Sequence, residues 1–190
     1  AIATGVVVTP TPAGADLCAV DDAGCNGDTS TMSCPRETPL AARVDDGSNA
    51  APTLVMGGVD PACAASPAEM LVLSGDAPFT RFIPLDATPA HVRARGAVVL
   101  PFGKSAVVVA GGVDAQDPAG AALADVEVFT LASVDDSGAH GTFAAHGTLS
   151  APRDAAFGIE LGGAVVVAGG GSTKLDVLVP PPAPAQGASP

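Results

Sequence analysis

Three apolar runs along the chain each stop on a glycine pair: Thr53-Leu-Val-Met-Gly-Gly58, Ala106-Val-Val-Val-Ala-Gly-Gly112 and Ala164-Val-Val-Val-Ala-Gly-Gly170. All three runs are strand-sized and lean on β-branched residues, and the pair that ends each marks a sharp change of direction. Fifteen residues separate Arg95 from Gly111, and fifteen separate Arg153 from Gly169. Both intervals read as strand, turn, strand, with turns at Gly103-Lys104 and Gly162-Gly163, which predicts a β-hairpin in each. Residues 41–57 keep that length, with Ala41 in place of the arginine and a turn at Asp45-Asp46-Gly47. After each glycine pair a polar loop leads to a third strand, at 69–73, 125–129 and 176–179. A fourth is predicted at 79–85 and 142–149. In both of these a Phe and a Leu lie six apart (Phe79 with Leu85, Phe143 with Leu149), an even spacing that puts them on one side of a regular strand. Residues 2–9 predict one further strand, stopped by Pro10-Thr-Pro12.

Four strands per unit, repeating at 54 and then 58 residues, is a pattern of radial β-sheet repeats. The unit resembles the kelch repeat in its degenerate bacterial form. The resemblance covers about residues 40–180 and is carried by Gly57, Gly58 and Glu69, by Arg95, Gly111, Gly112 and Asp125, and by Arg153, Gly169, Gly170 and Asp176. It implies an all-β fold, a kelch-like β-propeller or a three-blade part of one, with a β-sandwich as the alternative. It also implies that the arginines are structural, bonding to neighbouring backbone. The Tyr and Trp usual in kelch strands are missing, and three units are fewer than the four to eight of a closed ring. The division expected is an irregular segment with one strand (1–39), repeats at about 40–94, 95–152 and 153–179, and a Pro/Ala-rich tail (180–190).

Composition narrows the reading. Gly 23 and Pro 18 in 190 residues exclude a mainly helical protein, since both break helices. With no Trp or Tyr and six Phe, the core must be built in thin layers of Val and Ala. A net charge of −12 opposes binding to nucleic acid or to anionic membranes, and no apolar run reaches the length of a membrane span. Cys18, Cys25, Cys34 and Cys63 all fall in the first third. Their even number and wide spacing point to two disulfides in an oxidising compartment, so a secreted, periplasmic or outer-surface location is expected. Of the three connectivities, Cys18–Cys25 with Cys34–Cys63 crosses least.

Candidate chemistry is sparse. His91, His140 and His146 lack metal-pair spacing, and solvent-facing or hydrogen-bonded roles account for them. The acidic turns at Asp21-Asp22, Asp45-Asp46 and Asp135-Asp136 make calcium the one candidate cofactor, but the regular calcium loop is absent and Asx turns explain the same residues. No nucleophile motif is present, and the copper-radical chemistry of one kelch enzyme needs tyrosine, which this chain lacks. No catalytic, cofactor or metal residue is therefore assigned. The expectation is a binding or structural module for protein or glycan. Its contact surfaces would be the 112–124 loop and the cysteine segment, with a protein partner or self-association covering open sheet edges. A surface filament or layer subunit and a secreted sugar hydrolase are the alternatives.

Overall fold

The computed structural model describes residues 6–11, 14–19, 32, 36, 38–48, 51–58, 68–73, 80–117, 119–135 and 137–181. Among them the chain is all-β, with no helix and thirteen strands. Strands β1 (Val6–Thr11) and β2 (Gly14–Ala19) pair as an antiparallel hairpin. Three antiparallel sheets follow in chain order. The first contains β3 (Leu40–Arg43), β4 (Thr53–Met56), β5 (Glu69–Leu73) and β6 (Thr80–Pro84). The second contains β7 (Arg93–Pro101), β8 (Ala106–Asp114), β9 (Asp125–Asp135) and β10 (Gly138–Thr148). The third contains β11 (Ala156–Leu161), β12 (Ala164–Gly169) and β13 (Ser172–Leu178). Within every sheet each strand pairs antiparallel with the one before it.

The sheets pack face to face. Leu54, Met56, Met70 and Ile83 of the first sheet meet Val107, Val109, Phe129 and Leu131 of the second in one core layer. On the second sheet's other face, Val98, Val108, Ala110 and Val128 meet Val165 and Val167 of the third. Alternation along β8 therefore sends its odd-numbered valines into one layer and its even-numbered positions into the other. Small side chains suffice because each layer is only two sheets thick. Phe102, Phe129 and Phe143 add aromatic bulk, with the Phe129 and Phe143 rings tilted against each other at 5.0 Å.

Strand β10 departs from the simple alternation. Phe143 packs in the layer toward the first sheet, whereas Leu149 is buried in the layer toward the third. The even spacing of these two residues predicts one shared side. A register shift between Ala145 and Gly147 inserts an extra residue and swaps the faces, as a β-bulge does. The partner example, Phe79, lies outside the described residues.

Candidate functional site

The repeated glycine pairs close the sheet-to-sheet seam. Gly57, Gly111 and Gly169 all have positive φ, at 67, 67 and 72°, at a steric cost only glycine avoids; β4 and β12 end there, whereas β8 continues to Asp114. The second glycine then donates its N–H across the seam: Gly58 to the carbonyl of Arg93 at 2.9 Å, and Gly112 to that of Arg153 at 2.8 Å. Each accepting arginine precedes or opens the first strand of the following sheet.

The side chains of these arginines tie their own sheets together. Arg93 donates through Nε to the Gly111 carbonyl at 3.1 Å, through Nη1 to Glu127 at 2.5 Å, and through Nη2 to Asp125. Arg153 donates to the Gly169 carbonyl at 2.5 Å and to Asp176 at 2.6 Å. Arg36 does the same in the first sheet, reaching the Gly57 carbonyl at 3.0 Å and Glu69 at 3.1 Å. The three acids hold one ladder position, since Glu69 pairs with Val55, Glu127 with Val109 and Asp176 with Val167, each valine two residues before its glycine. All three arginine side chains are fully buried. Burial pushes the Asp176 carboxyl up, but bonds from Ser150 and Arg153 outweigh it and hold the group below the usual carboxylate range. A guanidinium enclosed this way, spent on a carbonyl and a carboxylate, is a clamp rather than a ligand site.

Spacing pairs Arg95 with Arg153, but the structure gives the buried place to Arg93. A bulge between Arg93 and Arg95 in β7, and the longer 102–105 turn beside the two-residue turn at Gly162-Gly163, displace the match. The Arg95 side chain is 51 % exposed and reaches Asp154, just ahead of β11, at 3.3 Å. Arg36 was out of reach of the sequence reading because it lies before the periodic region, 21 residues from its glycine. The signal that finds it is the acid two ladder rungs back from the glycine pair, which is visible only once strands are paired. The side chains of Cys18, Cys25, Cys34 and Cys63 lie outside the described residues.

Two polar clusters are solvent-accessible. In one, His140 bonds Asp86 at 2.8 Å and Ser137 at 3.1 Å, linking the end of the first sheet to the β9–β10 turn. Bonds from Asp86 and then Asp135 raise the His140 pKa, while the Ser137 hydroxyl and N–H draw Asp135 down to about 2. His91 pairs with Asp114 at 2.7 Å, and His146 bonds the Val179 carbonyl at 3.0 Å. Asp45 accepts from the Gly47 N–H, Asp46 from that of Ser48 and Asp135 from that of Ser137, as in Asx turns, while Asp21, Asp22 and Asp136 lie outside the described residues. Among the described residues no three metal-ligating side chains converge, and no helix is long and apolar enough to cross a membrane.

The other cluster is a cleft of about 400 Å³ at one end of the sheets. The first turn of every sheet contributes to it: Asp45 and Gly47 from β3–β4, Pro101, Gly103 and Lys104 from β7–β8, Glu160 and Gly163 from β11–β12. The Ser105 N–H donates to the Asp45 carbonyl at 2.6 Å and fixes the first two turns together. Two carboxylates and one ammonium thus line an open, rigid rim suited to hydrogen bonding and ion pairing with a polar ligand. No protein-family model matches the chain, and no curated protein matches it.

Proposed function

We propose that the chain is a kelch-like, propeller-type interaction module of the cell exterior, binding protein or glycan through the turn end of its stacked sheets. The observation that carries this reading is the seam repeated from the first sheet to the second and from the second to the third: a glycine-pair N–H on the next arginine carbonyl, with that arginine clamped to its own sheet. Such repetition makes a rigid support that aligns equivalent turns at one end, and aligned turns on a rigid support are where binding residues gather. The cleft between Asp45, Lys104 and Glu160 supplies the polar groups.

The same two carboxylates favour a second reading, a hydrolase acting on sugars. Acid catalysis at neutral pH asks for a desolvated carboxyl, and Asp45 and Glu160 are both exposed, which favours binding. The test is a panel of immobilised extracellular glycans and secreted proteins, probed with the wild type and with Asp45→Asn, Lys104→Glu and Glu160→Gln. Binding that falls in these variants while the fold persists supports the proposal. Glycan cleavage abolished by Asp45→Asn or Glu160→Gln would establish the hydrolase instead.

A further inference from the structure

The outer face of the third sheet is apolar and open. Phe157, Ile159 and Leu161 of β11, Leu175 and Val177 of β13, and Val179 just beyond it are 42–68 % exposed. Register places these strand residues on one side with Ala164, Val166 and Ala168, while Val165 and Val167 turn inward to the second sheet. Phe157, Ile159, Leu161, Leu175, Val177 and Val179 are all uncharged, in a chain of net charge −12. In the second sheet the equivalent face, with Ala106, Val108 and Ala110, is wholly buried by the third sheet. An apolar patch of this size on one sheet marks a contact surface.

We infer that this face is a self-association surface, where two copies of the chain pack third sheet against third sheet about a two-fold axis. Four observations select a second copy as the occupant. The patch offers on the order of 600 Å² per copy, and two such faces reach the lower range of stable interfaces. The six exposed apolar side chains carry no charge, so two copies of a strongly acidic chain meet there with little repulsion. Among the described residues the outer side of the first sheet is no matching apolar face, since Val55 and Glu69 are buried there and its exposed positions include Ala41 and the charged Arg43. Residues 182–190 contain no Val, Ile, Leu or Phe with which to cover the patch. Closed two-fold pairs are also the commonest assembly, and sheets stack well at small angles. The inference rests on the exposed face and not on the binding reading of the turns.

Light scattering and sedimentation of the full chain test it, across a concentration series and without reductant. The expected result is a particle of twice 18.3 kDa. Leu175→Glu with Val177→Glu, at exposed positions, should raise the dimer dissociation constant at least about 100-fold while the far-ultraviolet β signal stays unchanged. If that pair unfolds the chain, Val179→Glu, beyond the end of β13, should act in the same direction. A photo-crosslinking residue at position 157 should attach to residues 156–179 of the other copy. A monomer at every concentration overturns the inference. So does a dimer indifferent to these changes, an open-ended series of oligomers, or crosslinks to residues 40–84.

Discussion

Strands β8 and β12 open on the same six residues, Ala-Val-Val-Val-Ala-Gly, yet they live in different surroundings. From Ala106 to Val113 every residue of β8 is buried, because sheets cover both of its faces. In β12 only Val165 and Val167 are buried, and Ala164, Val166 and Ala168 are partly exposed on the side where no further sheet stacks. A continuous apolar run is what a strand covered on both faces requires. The run in β12 therefore carries the sequence of an interior strand at the surface of the stack. Burial here is set by the neighbouring sheet, and the glycine pair is the seam that seats that neighbour.

The largest expected effect breaks the clamp that holds two carboxylates at once. Arg93→Ala leaves the carboxylates of Glu127 and Asp125 without their cation, Glu127 being 4 % exposed, and should cost about 3–5 kcal/mol in urea unfolding. Arg153→Ala should cost less, about 2 kcal/mol, since Asp176 retains the Ser150 bonds and some solvent access. A smaller contrast comes from the shared run. Val108→Ala empties a site buried on both sides and should cost about 2 kcal/mol. Val166→Ala, measured in the Leu175→Glu, Val177→Glu background so that any self-association is weakened, should cost under about 1 kcal/mol. Equal losses would mean that both strands are covered alike.

The smallest effect is electrostatic. His140 has its pKa raised by Asp86 and Asp135, so its pairing stabilises the fold fully below the ordinary histidine value of 6.5 and loses that contribution as pH rises through the raised value. Asp86 and Asp135 are lowered from 3.8, so their share is present above 3.8 and lost as pH falls, for Asp135 through about 2. The stability difference between wild type and His140→Gln should thus be greatest between about pH 4 and 6.5 and shrink on either side, read from urea midpoints across that range. A difference that grows toward alkaline pH would contradict the assignment.

Much of this fold is written plainly in the chain. The three runs ending on glycine pairs become β4, β8 and β12, and the polar turns at Asp45, Lys104 and Gly162 become the turns of one aligned end. The strands after each pair begin at Glu69 and Asp125, where expected, whereas β13 begins at Ser172, ahead of Asp176, because Gly170-Gly171 forms a tight turn with no loop. The clamp was less legible. Linear spacing favours Arg95, but a bulge and a longer turn shift the buried place to Arg93, and neither feature has a signature in residue type. Glu127 is hidden for a related reason: Asp125 opens the strand and draws attention, whereas cross-strand pairing with Val109 identifies Glu127 as the equivalent of Glu69 and Asp176. The turn cleft depends on stacking between sheets, which no local pattern encodes.

The most direct test of the seam compares one substitution at two equivalent glycines. A Cβ at Gly111 would sit 2.9 Å from the Arg153 carbonyl, whereas at Gly169 it would meet nothing within 4 Å, and both have nearly the same positive φ. Gly111→Ala and Gly169→Ala therefore share a backbone strain of about 1–2 kcal/mol, and only the first adds a clash with the next sheet. Urea unfolding of the two variants side by side should show Gly111→Ala the more destabilised, by at least about 1 kcal/mol. Equal destabilisation, or a larger loss at Gly169, would contradict the account that the glycine pair exists to seat the following sheet.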